Sequence, residues 1–299
     1  EVIANIKSRD ELIVLLLLLG AGFSFIKYGE TKKKSSAMLG LICFLLALLT
    51  RESAIPFIVI VPMISYYFYR TNLKKALLYS VPLIIVFILY LGIRFSVVGF
   101  TEGVDNSILN YPFVYATASE AFATKVYLLL KYIMLLFYPY PLSFDYGYNE
   151  IPYLGITSFK FILAALILSV LILTGLSGIK KRTMLSFSIL FFFATIILFS
   201  NFFIDIGAPL AERLLFQPSL AFCFILSYHM LRAARQYQAI TLSSFALITV
   251  AFSIKTVDRN ADWESNFTLF NKDVVSCPNS VRTNLFAAQQ YLLLANIAK

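Results

Sequence analysis

Four clusters of charged and polar residues stand out because each lies at the end of a long apolar run. They comprise Lys7 to Glu11, Arg51 to Ser53, Pro139 to Tyr146, and Glu212 to Ser219. An arginine guanidinium can hold a phosphate or pyrophosphate through paired N–H donors. A carboxylate can orient a hydroxyl group or remove its proton. Ionisable groups are costly to bury at the edge of a membrane span, so several at one depth indicate a binding site.

Each cluster also has a simpler interpretation. A charged pair at a helix end can form a salt bridge, or extend its charges to the membrane surface, without binding a ligand. Short outer turns have no topological need for positive charge, so for Arg51-Glu52 and Glu212-Arg213 the structural and the binding interpretations stay equally open. Four tyrosines near Pro139 and Pro141 either stack on a sugar, line an isoprenoid groove or belong to an interfacial aromatic belt; they are Tyr138, Tyr140, Tyr146 and Tyr148.

The elements that must position these residues are membrane helices. Hydrophobic residues make up 60% of the 299 residues, charged residues make up 14%, and the mean hydropathy is +0.80. Because a soluble domain has about 25% charged residues, this composition excludes a soluble globular enzyme and a disordered chain. One histidine and three scattered cysteines exclude a His/Cys zinc centre and a disulfide scaffold, and we predict no metal site.

The apolar runs predict an all-α polytopic membrane protein with about eight spanning helices. The predicted spans cover residues 12–28, 36–49, 54–69, 76–93, 156–177, 184–203, 215–231 and 239–254. Residues 1–255 then form a transmembrane domain, and residues 256–299 form a soluble segment on the outer side of the membrane.

The net charge of +9 reflects membrane orientation rather than nucleic-acid binding. Lysine and arginine are concentrated in four short connectors, at 27–34, 70–75, 180–182 and 232–235, which contain one acid, Glu30. The positive-inside rule places these connectors in the cytoplasm. Both ends of the chain and all four clusters then face the outer side, which is periplasmic in a bacterial inner membrane and luminal in an endoplasmic reticulum membrane.

A further helical stretch at 114–138 does not fit this orientation as a span, because crossing would carry Asp145 to the inner side. Its apolar part is short, contains Lys131, and ends at Pro139 and Pro141. Segments of this kind are more often interfacial or re-entrant than spanning. We therefore expect residues 94–155 to form an outer loop with an embedded helix.

The composition becomes amphipathic from Asp262 onwards. Asn284, Ala287 and Tyr291 follow Pro278 at offsets typical of the first helix of a tetratricopeptide repeat. Because a single half-repeat cannot bury its apolar face, it must either pack on the membrane part or continue into an array. We expect the natural protein to extend beyond both ends of this chain, which begins at Glu1 in a polar loop.

Together these features resemble the transmembrane and tetratricopeptide-repeat O-mannosyltransferase-like family, a GT-C class of lipid-linked glycosyltransferases, in its bacterial form. The similar stretches are Glu1 to Leu12, Arg51 to Pro56, Tyr138 to Tyr146, Ala211 to Ser219, and Arg259 to Trp263 leading to Pro278-Asn279-Ser280. The resemblance implies a GT-C-like bundle that transfers a sugar, typically mannose, from a polyprenyl-phosphate carrier to a protein hydroxyl on the outer face, with inversion. It implies no tightly bound cofactor; the partners are the bilayer, the lipid-linked sugar and the acceptor protein.

The resemblance also implies roles for individual residues. Arg213, together with Arg51 or Arg9, would bind the carrier phosphate, and Glu212 would hold Arg213 in place. The supporting residues would be Glu52, Asp10 and Asp145. Members of the family place an acidic base in their first outer loop, a region that would precede Glu1, so the catalytic base is expected outside this chain.

Two other functions are compatible with a polytopic chain. The first is a transporter or flippase for a lipid-linked solute. Such proteins often contain internal repeats and an ion-coupling acid at the centre of a span, and this sequence shows neither feature. The second is a membrane anchor that displays tetratricopeptide repeats to a partner, in which the clusters are merely structural.

Overall fold

The computed structural model describes residues 2–99, 108–109, 111–203 and 206–297, and these residues form helices and no strand. The predicted all-α class is therefore confirmed. The α-helices are α1 (Asp10–Thr31), α2 (Lys34–Thr50), α3 (Phe57–Phe68), α4 (Leu73–Leu78), α5 (Ser80–Val98), α6 (Ala118–Phe137), α7 (Phe159–Ser177), α8 (Met184–Ile196), α9 (Ser219–Ala234), α10 (Gln238–Asp262), α11 (Asn266–Ser276) and α12 (Val281–Ile297).

Four helical segments within the described residues are long and apolar enough to cross a membrane. They are Lys7–Thr31, Leu73–Val98, Phe159–Ser177 and Gln238–Asp262. These segments coincide with four of the predicted spans, so the chain is an integral multi-pass membrane protein. The remaining predicted spans form shorter apolar helices, Lys34–Thr50, Glu52–Phe68, Met184–Phe199 and Ser219–Ala234. A crossing by these shorter helices, and hence the total of about eight spans, stays a prediction.

Helix α6 forms where the sequence predicts a helix that does not span. It begins with a capping box, in which the Glu120 N–H donates to Thr117 Oγ1 at 3.3 Å and the Thr117 N–H donates to the Glu120 carboxylate at 2.9 Å. The hydrogen bond from the Thr117 backbone lowers the pKa of Glu120. The helix ends just before Pro139, because proline has no N–H to continue the helical hydrogen bonding. Its position in an outer loop stays a prediction.

The chain divides into two compact units, which we name by the end of the chain they mainly contain. The N-terminal unit comprises Val2–Gly103 and Thr174–Leu198; the C-terminal unit comprises Val104–Leu173 and Phe199–Lys299, together with Glu1. These units are defined by compactness, whereas the predicted domains, residues 1–255 and 256–299, are defined by membrane or aqueous surroundings. The predicted domain division therefore stays a prediction.

In the N-terminal unit, α1 and α2 pack as a helical hairpin. A Cβ atom at Gly40 would lie 3.0 Å from the ring of Phe25, so glycine is what lets the two helices approach at this point. Helix α3 is joined to α8 by a hydrogen bond of 2.6 Å between the Tyr67 hydroxyl and Ser186 Oγ. The hairpin places the start of α1 beside the end of α2, where two of the polar clusters lie.

In the C-terminal unit, α11 and α12 pack on the segment that follows α6, which we call the 139–148 loop (residues 139–148). The Phe144 ring of this loop lies 5.1 Å from the Phe270 ring of α11 and 5.7 Å from the Phe286 ring of α12. Phe144 thus contacts both helices, whereas Leu292, Leu293 and Ile297 of α12 are exposed. Whether the tail packs on the membrane part or continues into a repeat array stays a prediction.

Candidate functional site

In the N-terminal unit, Arg51 joins the end of α2 to the start of α1. Its Nη1 atom lies 2.9 Å from both carboxylate oxygens of Asp10, and its Nε atom lies 3.1 Å from Glu11 Oε1. Glu11 is buried and also accepts a hydrogen bond of 2.9 Å from Ser53 Oγ. Both acids occupy the first turn of α1, where the helix dipole favours negative charge. Two carboxylates therefore already neutralise the Arg51 guanidinium.

The other predicted residues of this unit differ in their pairing. Glu52 forms a salt bridge with Arg94, and both side chains are close to half exposed. Arg94 also donates to the Tyr90 hydroxyl at 2.9 Å. Arg9 is exposed at the start of α1 and has no ion-pair partner among the described residues. Of the two arginines of this unit that were predicted to bind phosphate, Arg9 is the one whose charge is not already neutralised.

In the C-terminal unit, Glu212 and Arg213 lie on a 3-10 turn, Glu212–Leu215, that leads into α9. The Ala211 N–H before this turn donates to the Tyr132 hydroxyl at 3.1 Å, which fixes the turn to α6. Glu212 Oε1 accepts hydrogen bonds from the Ser143 N–H at 2.7 Å and from the Tyr146 hydroxyl at 2.9 Å. The Glu212 carboxylate thereby ties the 139–148 loop to the turn.

Arg213 contacts the same loop from the next position of the turn. Its Nη1 atom donates to the carbonyl oxygen of Phe144 at 3.1 Å, and its side chain is partly exposed. This hydrogen bond to a backbone carbonyl helps to orient the guanidinium. Glu212 and Arg213 therefore hold the loop at adjacent points, and the position of the loop in turn sets the position of Arg213.

Phe144 is held on its N–H side by a buried ion pair. The Phe144 N–H donates to Asp273 Oδ2 at 2.8 Å. Asp273, fully buried on α11, also accepts hydrogen bonds from Arg259 of α10, with Nη1 to Oδ1 at 2.7 Å and Nη2 to Oδ2 at 3.1 Å. A buried carboxylate requires such charged, hydrogen-bonded partners. A continuous series of contacts thus runs from Arg259 through Asp273 and Phe144 to Arg213.

Asp145, predicted to support the site, is buried rather than open to a ligand. Its Oδ2 atom accepts a hydrogen bond of 2.6 Å from Arg282 of α12, which also donates to the carbonyl oxygen of Leu109. Its Oδ1 atom has no hydrogen-bond partner in the described part of the chain, and a Cβ at Gly147 would lie 3.0 Å from it. Asp145 therefore fastens the 139–148 loop to α12.

Burial shifts the protonation of several groups in this region. Burial raises the pKa of Tyr146, and the nearby Glu212 carboxylate raises it further, so the phenol stays protonated and donates its hydrogen bond. Burial raises the pKa of Asp145, while the Arg282 charge acts in the opposite direction. Burial also raises the pKa of Cys277 to about 12, which keeps this thiol neutral and unreactive. Within the described residues, no group of three His, Cys, Asp or Glu side chains could hold a metal ion.

The structure thus brings together Asp10 and Arg51 in one unit, and Glu212, Arg213 and Asp145 around one loop in the other. Sequence reasoning did not select Asp273, Arg259 or Arg282 as site residues. Arg259 begins one of the similar stretches, which is a usable signal. Asp273 and Arg282 carry no local signal, because they contact Phe144 and Asp145 across 129 and 137 residues of sequence.

Comparison with known proteins shows a distant relation to protein O-mannosyl-transferases. The chain is 23% identical over 287 residues to a protein O-mannosyl-transferase of Caenorhabditis elegans, an alignment that covers 94% of this chain and 39% of the worm protein. It is 26% identical over 226 residues to mouse protein O-mannosyl-transferase TMTC1, covering 72% of this chain and 24% of that protein. It is 34% identical to Drosophila melanogaster protein O-mannosyl-transferase Tmtc2 over 89 residues, covering 29% of this chain and 10% of the fly protein.

The chain therefore spans less than half the length of the curated relatives that it matches. No family model matches it, and no solved structure matches it. The relation extends over most of this chain, so it agrees with the predicted resemblance at the level of distant homology and suggests a membrane protein of glycosyltransferase type.

Proposed function

We propose that this chain is the membrane part of a glycosyltransferase that transfers a sugar from a polyprenyl-phosphate carrier to a protein hydroxyl. The proposed sugar is mannose. The observation that carries the proposal is the relation to the worm protein O-mannosyl-transferase over 94% of this chain. The reaction takes place on the outer face of the membrane, the periplasmic face of a bacterial inner membrane. The positive-inside distribution of the connectors supports this side.

In this proposal Arg213 binds the carrier phosphate together with Arg51 or Arg9, as the sequence resemblance implies. Arg213 is partly exposed and oriented by a backbone carbonyl, and Arg9 is exposed at the start of α1. Arg51 contributes less directly, because its donors already serve Asp10 and Glu11. Glu212 positions Arg213 through their shared loop, which is how it supports the phosphate contact.

Glu52, Asp10 and Asp145 have supporting roles through the ion pairs they form. Glu52 pairs with Arg94, Asp10 with Arg51, and Asp145 with Arg282. None of these pairs requires a metal ion or a resident cofactor. The donor itself is the lipid-linked sugar, and the acceptor is a protein hydroxyl.

Substitution of Arg213 tests the proposal. In membranes that contain the full protein, transfer of labelled mannose from polyprenyl-phosphate-mannose to acceptor peptides is measured for Arg213→Ala and for the control Arg235→Ala. Arg235 lies in a connector predicted to be on the inner side. A charged hydrogen bond contributes about 1.5–3 kcal/mol, so we expect Arg213→Ala to lose between about tenfold and about a hundredfold in transfer rate.

The same assay separates the proposal from its alternatives. A loss of transfer and of donor binding in correctly folded Arg213→Ala, with Arg235→Ala unchanged, supports a glycosyltransferase. Unchanged transfer in Arg213→Ala removes this residue from the site. If the wild-type protein transfers no sugar but binds a soluble partner, the membrane-anchor function is supported. If it moves a lipid-linked solute across the membrane of a vesicle, the transporter function is supported.

A further inference from the structure

The N-terminal unit contains a cavity that the proposed transfer reaction does not use. It has a volume of about 140 Å³ and lies between α1 and α3. Its inner wall is apolar, formed by Phe25 and Ile26 of α1 and by Val61 and Ile64 of α3. A cavity of about 150 Å³ accommodates a benzene ring, so this one has room for roughly six carbon atoms of a hydrocarbon chain.

One end of the cavity is polar and positively charged. Lys32, Tyr69 and Thr71 line this end. Lys32 is exposed, and its ammonium group lies 5.7 Å from the centre of the Tyr28 ring. Neither Lys32 nor the exposed Arg70 beside Tyr69 has an ion-pair partner among the described residues. Glu30 is an acid at this end, and its carboxylate accepts a hydrogen bond of 3.4 Å from the Tyr69 hydroxyl. Because the two cations outnumber this acid, the apolar pocket has a net positive mouth, which complements a molecule with a hydrocarbon tail and an anionic head.

The backbone at this end is in a conformation that favours glycine. Lys32 has φ 56°, Arg70 has φ 51° and Arg182 has φ 50°, all in the left-handed region. Lys32 ends α1, a position where glycine or asparagine is the least strained choice. Arg182 donates to the Thr71 carbonyl at 2.8 Å and stacks on Tyr66 at 4.3 Å, which places a third cation next to the cavity wall. Three basic residues therefore occupy left-handed backbone positions at or near this end of the cavity.

We propose that this cavity binds an anionic phospholipid. One acyl chain enters between α1 and α3, and the glycerol phosphate of the headgroup lies against Lys32 and Arg70. Basic pockets between membrane helices recognise anionic headgroups in this way, by charge at the membrane surface and hydrocarbon contact below it. The site is distinct from the clusters assigned to sugar transfer, so its failure would leave the transfer proposal untouched.

Photolabelling tests the proposal in the full protein, purified in mixed micelles. The probe is phosphatidylglycerol with a photoreactive group on one acyl chain, and labelled peptides are identified by mass spectrometry. Gly29→Leu fills the cavity, because a Cβ at Gly29 meets no atom within 4 Å and leucine favours a helix. Gly92→Leu is the matched control, since Gly92 on α5 also has open space around its Cα and does not line the cavity.

Lys32→Gly separates charge from structure, because it removes the cation and relieves the left-handed strain at the end of α1. Lys33→Gly is its control, at an exposed neighbour with an ordinary extended backbone. We expect labelling on α1 and α3, its loss in Gly29→Leu but not in Gly92→Leu, and about fivefold weaker binding in Lys32→Gly than in Lys33→Gly.

Competition identifies the ligand. Unlabelled phosphatidylglycerol should displace the probe, whereas phosphatidylcholine and free glycerol phosphate should not. Equal displacement by phosphatidylcholine would show an unselective hydrocarbon groove and overturn the proposal. Displacement of the probe by free glycerol phosphate would show that the cavity is a site for soluble phosphates. Unchanged labelling in Gly29→Leu would show that the lipid binds elsewhere. Either result refutes the assignment.

Discussion

The buried pair of Arg259 and Asp273 gives the sharpest test of how the C-terminal unit is held together. Asp273→Asn keeps the size of the side chain but removes its charge. The new amide oxygen can still accept the Phe144 N–H, but the amide nitrogen then faces Arg259 donors. Breaking a buried pair from one side costs about 3–5 kcal/mol, and the contact of Arg259 with Asp262 at 3.1 Å offsets part of this. We expect about 3 kcal/mol of destabilisation.

A double variant separates lost pairing from lost packing. Arg259→Met combined with Asp273→Leu removes both charges, and apolar replacement of a buried pair is often close to neutral. The remaining costs are the Phe144 N–H without its acceptor, about 1–3 kcal/mol, and the loss of the contact between Arg259 and the largely buried Asp262. We therefore expect the double variant to recover part of the stability lost in Asp273→Asn. Transfer activity of the double variant should be low, because the Phe144 N–H has lost its acceptor and Phe144 then holds Arg213 less firmly.

Trp263 offers a local optical probe for both variants, since it is the one tryptophan of the chain and its ring lies 5.9 Å from the Arg259 guanidinium. Denaturant titration in nanodiscs, followed by Trp263 fluorescence, reports local unfolding of this junction. An Asp273→Asn protein that unfolds at the same denaturant concentration as wild type would refute the reasoning. So would a double variant less stable than Asp273→Asn.

Three further predictions concern pairing, pH and orientation. Arg51→Ala removes the cation that pairs with the buried Glu11 and should destabilise the N-terminal unit by about 3 kcal/mol. Arg9→Ala should weaken donor binding without changing the unfolding midpoint. Equal unfolding midpoints for the two variants would contradict this prediction. The folded-state pKa of Cys277 lies above its ordinary value of 9.0, so its contribution to stability is complete below that pH and is lost as the pH rises towards about 12. Cys277→Ala should flatten this part of the stability profile, and an unchanged slope would show that Cys277 is not its source. In a background without native cysteines, Arg9→Cys should react with an impermeant reagent added outside the cell and Lys33→Cys only after permeabilisation; the reverse pattern would invert the proposed topology.

Much of the helical framework could be predicted from the sequence, because apolar length is a local property. Helices α1, α5, α7 and α10 lie where long apolar runs predict spans. The contact between Asp10 and Arg51 was also accessible, since two consecutive helices joined by a short connector return the end of the second to the start of the first. Whether the shorter apolar helices cross depends on neighbours and on bilayer thickness, which composition does not contain.

The candidate site was only partly predictable for a related reason. The two clusters that contain Pro139 and Glu212 were assigned to one side of the membrane, and the structure brings them into contact. The partner of Phe144, however, is Asp273, an ordinary acid on an amphipathic helix whose importance arises only when α11 packs against the loop. Asp145 was predicted as a supporting residue, and that role stays a prediction, but its partner Arg282 lies on α12 and was not predicted.

The pairing of Asp145 with Arg282 also constrains the order in which the protein is made. Asp145 leaves the ribosome 137 residues before its partner, so throughout that interval the carboxylate must remain hydrated or bound by a helper. A chain terminated anywhere between these residues lacks the cation and cannot bury this acid without penalty. The contacts of the loop with Glu212 and Asp273 can form before α12 is made, so Asp145 is the part of the loop whose burial must wait until synthesis has passed the start of α12.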